Sequence, residues 1–131
     1  MSGRKRVLYD TRFVAAIYYP NDEDEASRIR KELTSNLTRY VSSVTVYELY
    51  KLTLESEGRE VAELRIELLK REFSITNLDW KIAREAALLW KKYRVPMADA
   101  VVAATAQQLK ASCVTNDPHF GKIREIRSRW V

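Results

Sequence analysis

Short β-rich runs alternate with helical segments along the whole chain, and this alternation leaves few possible folds. Residues 7–9 (Val-Leu-Tyr) predict a buried strand that ends at Asp10. The other runs that predict strands are 40–42, 73–76, 113–115 and a last one near 126–131. Strands that alternate with helices predict a mostly parallel sheet covered by helices on both faces. The length of 131 residues suits one α/β domain that spans 1–131.

Helices are predicted between these strands from apolar periodicity and from residues that start or stop a helix. Pro20 stops the first helix, and either Asn21 or Asp22 caps the second. Ser43 is a plausible cap for the third, and Gly58 breaks it. The predicted ranges are 11–19, 22–33, 43–57, 59–71, 79–93 and 96–111, with Asp79 and Pro96 at the starts of the last two.

Charge and cysteine content narrow the setting in which the protein acts. A single cysteine, Cys113, cannot form an internal disulfide, which favours a reducing cytoplasm. No apolar run approaches the ~20 residues that a membrane span needs, so we expect a soluble, cytoplasmic protein with no membrane partner. The net charge of +5 is consistent with a polyanionic partner or with a solvated surface.

Four acidic residues lie in or beside apolar runs, where surface charge explains them poorly. They are Asp10, Glu48, Asp99 and Asp117. Asp10 follows the first predicted strand, and Asp117 follows a late strand by two residues. Because ligands of open α/β sheets bind beyond the carboxyl ends of the strands, all four acids can face one edge. Carboxylates in close contact repel one another, and a hard divalent cation removes that repulsion.

The helix that carries Asp99 is apolar on nearly all sides and is therefore predicted to be buried. Small side chains surround Asp99 between residues 98 and 106 and allow close packing against the sheet. A carboxylate in the first turn of such a helix has two interpretations. It is either a helix cap, stabilised by the helix dipole, or a residue of a functional site.

Taken together, the four acidic segments resemble the PIN-domain ribonucleases, and among them the VapC-like toxins of type II toxin–antitoxin modules. The similarity runs from Leu8 to Phe120, and the order and spacing of the four motifs are its most specific part. The motifs are Asp10-Thr11, Ser42-x-x-Thr45-x-x-Glu48-Leu49, Ala98-Asp99-Ala100 with Val102-Ala103-Ala104-Thr105-Ala106, and Val114-Thr115-Asn116-Asp117-Pro118-His119-Phe120.

This resemblance implies an α/β/α domain with a parallel sheet of about five strands, Mg²⁺ or Mn²⁺ as cofactor, and endoribonuclease activity on RNA. It also implies a cognate antitoxin partner and a homodimer. By position, the catalytic and metal-binding residues are Asp10, Glu48, Asp99 and Asp117, and the residues that support them are Thr11 and Thr115. The chain departs from the family pattern at Arg12, where relatives often carry Ser or Asn, and Arg12 is instead able to approach a phosphate.

Within this reading, Asp10 and Asp99 are the expected direct metal ligands. The roles left open for Glu48 and Asp117 are binding through water, positioning the nucleophile, or completing a second metal site. The only histidine, His119, is interpreted as structural, because histidine acid–base chemistry of the pancreatic-ribonuclease type needs a second one. Without repeated His or Cys spacing a zinc site is not expected. Cys113 is interpreted as a core residue.

Other functional classes also place an aspartate after the first strand. A phosphoaspartyl phosphatase needs a second Asp two residues later, where this chain has Arg12, and a receiver domain needs an acidic pair, where only Asp10 is present. A non-enzymatic RNA-binding or interaction protein with the same fold is the remaining alternative. The intact set of four acids argues against it, because a site without turnover need not keep them all.

Two surfaces have a possible role in binding partners. Basic residues near the end of the sequence either follow an RNA backbone or form a solvated surface: Lys122, Arg124, Arg127 and Arg129. Apolar residues of the third and fourth helices either belong to the core or form a groove for an antitoxin helix: Tyr47, Tyr50, Leu52, Leu54, Leu64 and Leu68.

Overall fold

The predicted alternation of strands and helices is confirmed in the computed structural model, which describes residues 3–131. The elements are β1 (Lys5–Tyr9), α1 (Thr11–Tyr18), α2 (Glu23–Leu33), β2 (Leu37–Ser42), α3 (Ser43–Glu57), α4 (Arg59–Glu72), β3 (Ser74–Thr76), α5 (Trp80–Tyr93), α6 (Met97–Leu109), β4 (Ser112–Val114), a 3₁₀ turn (Pro118–Lys122) and β5 (Ser128–Arg129). None of the helices between residues 3 and 131 is both long and apolar enough to span a membrane.

The five strands form one sheet in the order β3-β2-β1-β4-β5, and each neighbouring pair is parallel. β1 is the central strand, where Leu8 lies opposite Tyr40 of β2 and Cys113 of β4. Because all strands run the same way, their carboxyl ends lie at one edge of the sheet and their amino ends at the other. The expected α/β domain with a mostly parallel sheet of about five strands is confirmed.

Successive residues of β1 point to opposite faces of the sheet, as the two-residue period of a strand requires. Leu8 packs with α5 and α6, whereas Val7 and Tyr9 pack with α1 to α4. All three side chains are at most 2% exposed. The central strand is therefore covered on both faces, and the molecule has three layers.

Some element boundaries differ from the sequence-based prediction. β2 begins at Leu37 rather than at residue 40. A strand covered by helices on both faces can still carry polar side chains near its end, so Thr38 and Arg39 do not exclude these positions from the strand. The cap of α3 is Ser42 rather than Ser43, because the Ser42 hydroxyl accepts the Val44 N–H at 3.1 Å. The Ser43 hydroxyl instead accepts the backbone N–H of Leu78.

A partly buried ion pair joins β5, the last strand, to α2. The Arg129 guanidinium donates to both carboxylate oxygens of Glu32, at 3.0 and 2.8 Å. The Tyr9 hydroxyl donates to the same carboxylate at 2.7 Å. Arg129, which sequence reasoning placed on a possible RNA path or a solvated surface, is thus used within the fold.

Candidate metal centre

Asp10 lies at the carboxyl end of the central strand and is 5% exposed. One of its carboxylate oxygens accepts the backbone N–H of Phe13 at 3.2 Å, which makes Asp10 the cap of α1. Its other oxygen accepts the hydroxyl of Thr115 at 2.5 Å. The residue that starts α1 therefore also presents a buried carboxylate at the edge of the sheet.

Asp117 is connected to Asp10 through Thr115, which follows β4. The Thr115 hydroxyl that donates to Asp10 also accepts the backbone N–H of Asp117, at 3.0 Å. The Asp117 carboxylate caps the 3₁₀ turn by accepting the backbone N–H of His119 at 2.9 Å. A single hydroxyl group, that of Thr115, therefore contacts both Asp10 and Asp117.

Asp99 lies in the first turn of α6, and its contacts argue against the interpretation as a helix cap. The cap of α6 is Pro96, and no side chain makes a capping hydrogen bond there. The Oδ2 atom of Asp99 is buried and has no hydrogen-bond partner among the described residues. A buried carboxylate oxygen without a partner is costly, so capping does not explain Asp99.

His119 lies between two of these acids, although sequence reasoning gave it a structural role. Its Nδ1 atom is 3.0 Å from Asp99 Oδ2 and 2.8 Å from Asp117 Oδ1. Neither contact has the angles of a hydrogen bond, and Nδ1 is buried without a partner among residues 3–131. The spacing Asp-x-His across a tight turn was the only sequence signal for this placement, and that spacing alone is too common to be specific.

Glu48 lies on α3 beside this cluster and reaches it through Thr11. The Thr11 hydroxyl donates to Glu48 Oε1 at 2.5 Å and lies 3.2 Å from Thr45 Oγ1. Thr11 directly follows Asp10 in the chain. The structure therefore brings Asp10, Asp99 and Asp117 together, whereas Glu48 contacts the residue that follows Asp10.

The three clustered acids influence one another's ionisation. Burial, together with the negative charge of Asp117, raises the pKa of Asp10 to about 6. Burial and the same charge also raise the pKa of Asp99 to about 6. Burial acts in the same sense on Asp117, but hydrogen bonds from His119 and Asp99 and the nearby Arg12 guanidinium outweigh it and lower its pKa. Asp10 and Asp99 therefore hold a proton more tightly than a free aspartate, and Asp117 holds one less tightly.

The donor atoms fit a divalent cation. One ligand atom from each of Asp99, Asp117 and His119 lies within 4.8 Å of the other two. Two of these residues hold the buried atoms that have no hydrogen-bond partner, Asp99 Oδ2 and His119 Nδ1. Carboxylate oxygens with one imidazole nitrogen suit Mn²⁺, and the carboxylates also suit Mg²⁺.

Arg12 lies at the rim of the cluster with its side chain 54% exposed. Its Nε atom is 3.8 Å from Asp117 Oδ2, and its Nη1 donates to Asn116 Oδ1 at 3.4 Å. These contacts leave most of its five N–H donors facing solvent. Arg12, at which the chain departs from the family pattern, thus places a positively charged guanidinium beside the acidic cluster.

Comparison with known proteins agrees with this geometry. Three similar structures are VapBC2 from Rickettsia felis bound to promoter DNA, a toxin–antitoxin complex from Klebsiella pneumoniae, and VapC20 from Mycobacterium tuberculosis, a toxin that cleaves the sarcin–ricin loop. Their TM-scores are 0.79, 0.73 and 0.75, and their identities are 16%, 20% and 16%. They cover 96%, 92% and 92% of this chain and 99%, 94% and 98% of their own.

At these identities the likeness establishes the fold. No curated protein sequence matches the chain significantly. The profile of the PIN domain family matches residues 7–126, a range that contains all four acidic motifs. This match covers far more than half of the sequence, and the chain therefore belongs to the PIN domain family.

Proposed function

We propose that the protein is a divalent-metal-dependent endoribonuclease, the toxin of a toxin–antitoxin pair. The observation that carries the proposal is the convergence of Asp10, Asp99 and Asp117, where Asp99 Oδ2 is buried without a hydrogen-bond partner among residues 3–131. The similar VapC20 is a toxin that cleaves an RNA loop, which supports RNA as the substrate.

In this proposal the catalytic and metal-binding residues are Asp10, Glu48, Asp99 and Asp117, and His119 is an added ligand. Thr115 and Thr11 position Asp10 and Glu48 through the hydrogen bonds described above. Mg²⁺ or Mn²⁺, when bound, polarises the scissile phosphate and lowers the pKa of an attacking water.

The protein's own side chains supply orientation and charge. Thr115 holds Asp10 and Asp117 in fixed positions, so little reorganisation is needed when substrate arrives. The exposed guanidinium of Arg12 is placed to donate to a non-bridging phosphate oxygen beside the cluster. Glu48 accepts the Thr11 hydroxyl through Oε1, which leaves Oε2 to orient a water molecule.

Cleavage of end-labelled RNA tests the proposal, with the wild type in Mn²⁺ or Mg²⁺, the wild type in EDTA, and Asp99→Asn in metal. We expect cleavage only by the metal-loaded wild type. Either cation should also raise the melting temperature of the wild type by mass action, and much less that of Asp99→Asn. RNA binding without cleavage of any RNA, including tRNA and ribosomal RNA, would instead favour the inactive RNA-binding alternative.

The site that we propose for an antitoxin helix is a groove between α3 and α4. The groove has a volume of about 420 Å³ and is lined by Val46, Tyr47, Tyr50, Lys51, Leu54, Glu63 and Ile66. Tyr47 and Leu54 are 63% and 42% exposed, so their apolar surface is available to an amphipathic helix. This groove is the feature that supports an antitoxin partner.

Co-expression with the protein encoded beside it tests this site. We expect the neighbour to suppress RNA cleavage, and Leu54→Glu to relieve the suppression, because a charge in the groove opposes apolar docking. Leu64→Glu is the control, since Leu64 is 59% exposed on α4 but does not line the groove. Equal suppression of both variants would contradict this location.

A homodimer is supported by a second apolar surface, on α5 and α6. A cavity of about 380 Å³ is lined by Leu78, Ala83, Ala86, Ala87, Trp90, Met97, Ala100 and Val101. Met97 and Trp90 are 73% and 46% exposed. Contiguous exposed apolar surface of this kind marks contact sites, and a second copy would cover it.

A further inference from the structure

The amino ends of the strands form a second edge of the sheet, opposite the acidic cluster, and a large cleft lies there. Its volume is about 870 Å³. It is lined by the start of β1, the end of α6, and the residues that precede β5. Five strand residues separate the two edges along β1, which corresponds to about 17 Å.

The cleft is basic. Five of its lining residues are exposed cations: Arg4, Lys5, Arg6, Lys110 and Arg127. None of these five forms an ion pair with any residue between 3 and 131. Only Arg6 has a side-chain hydrogen bond in this part of the chain, to the carbonyl of Leu109. The positive charge of the cleft is therefore not neutralised within the fold.

The one acidic residue in the cleft lining does not change this balance. Glu125 accepts a hydrogen bond from Lys92 at 3.0 Å and one from the hydroxyl of Tyr93 at 2.6 Å. Its charge is therefore already paired with a lysine outside the cleft. Arg4 also lines a second cavity of about 300 Å³, which adds Lys70 and Arg71 at the end of α4.

Helix C-termini attract cations, and this accounts for some of these residues. It does not account for Arg4, Lys5 and Arg127, which lie at the amino ends of strands. Unpaired cations along an open cleft are the arrangement that binds a phosphate backbone, because each contact releases counterions from the polyanion.

We infer that this cleft binds the phosphate backbone of RNA at the edge of the sheet opposite the acidic cluster. The inference rests on the proposed function for the identity of the polyanion. An RNA that passes from one edge to the other is held at two places, so the cleft anchors the substrate while the acidic cluster acts on it. Charged side chains that contact phosphates position a nucleic acid without reading its bases.

Binding of labelled single-stranded RNA in EDTA tests the inference without any cleavage. The variant is Arg4→Gln/Lys5→Gln/Arg127→Gln, which leaves the Arg6 hydrogen bond intact. The control is Lys31→Gln/Lys81→Gln/Lys91→Gln, which removes the same charge from exposed lysines outside the cleft that also lack ion pairs among the described residues. Equal melting temperatures establish that both variants are folded.

We expect the cleft variant to bind RNA at least about tenfold more weakly than the control at low salt. Its plot of log affinity against log salt should be flatter by about 2, since each single-strand phosphate contact contributes about 0.7. Equal affinities and slopes for the two variants would overturn the inference, as would a wild type that binds no RNA. So would an effect of the cleft variant on an acidic peptide, such as polyglutamate, but not on RNA. Failure of cleavage in metal, with RNA binding intact, would count against the proposed function and leave this inference standing.

Discussion

Asp99 is a residue whose environment works against its ionised form when no cation is bound. Its pKa is raised to about 6 from an ordinary value of 3.8, chiefly by burial and by the charge of Asp117. Below about pH 4 the carboxyl is protonated in both the folded and the unfolded protein. Between about pH 4 and 6 the folded state keeps a proton that the unfolded state has lost, so stability falls as pH rises through this window.

Asp99→Asn should therefore stabilise the metal-free protein at pH 7.5, by on the order of 2–3 kcal/mol. Asparagine cannot ionise, so it does not carry the negative charge that burial and Asp117 disfavour at this position. The gain should shrink toward zero near pH 4. Urea unfolding in EDTA at both pH values measures it. A variant that is less stable than the wild type by the same amount at both pH values would contradict this explanation.

The positions of some individual site residues could be predicted from the sequence, and those of others could not. Asp10 and Asp117 follow strands directly, and parallel strands bring such positions to one edge. The contact of His119 with Asp99 and Asp117 depends on the path of a 3₁₀ turn, which no periodicity reveals. The separation of Glu48 from the cluster by Thr11 depends on the packing of α1 against α3, which the sequence does not specify locally.

At the scale of elements, Glu32 joins α2 to β1 and β5. Burial alone would raise its pKa, but hydrogen bonds from Arg129 and Tyr9 outweigh burial and lower it. A carboxyl with a lowered pKa stabilises the fold above its ordinary value of 4.5, and this contribution is lost as pH falls through the lowered value. The pH dependence is therefore opposite in sign to that of Asp99.

Glu32→Gln should destabilise the protein by about 1–3 kcal/mol at pH 7, because a hydrogen-bonded charge pair is lost next to a buried strand. The difference from the wild type should narrow as the pH falls below the ordinary glutamate pKa of 4.5 and through the lowered pKa of Glu32. Glu23→Gln is the matched control, since Glu23 pairs with Arg30 at 2.7 Å on a surface where it is 82% exposed. We expect it to cost less than about 1 kcal/mol. Equal losses in the two variants, measured by chemical denaturation, would exclude a special role for Glu32.

Most elements could be predicted from the sequence, because their ends carry local signals. Helices α2 and α5 are capped where expected, by Asp22 and Asp79, and α3 ends where expected, at Gly58. The start of β2 and the shortness of β5 could not be predicted. Both depend on pairing with strands that are distant in sequence, β1 and β4, and such pairing leaves no local pattern.

At the scale of the whole molecule, the apolar surface on α5 and α6 predicts self-association. We expect the wild type to be a dimer by sedimentation velocity, and Ala87→Glu to be a monomer, because Ala87 lines the apolar cavity. Leu88→Glu changes the next residue of α5, which is 57% exposed but lies outside the cavity, and this variant should stay dimeric. Two variants that behave alike would argue against this surface as the interface.

The hydrogen bond between Thr115 and Asp10 determines when the acidic cluster can form during protein synthesis. Its partners are 105 positions apart in the chain. During synthesis the amino-terminal strand emerges early, but its aspartate lacks both the threonine that orients it and the acid next to it. The site can assemble only after residue 119 has left the ribosome, so a nascent chain that exposes fewer residues holds an incomplete acidic cluster.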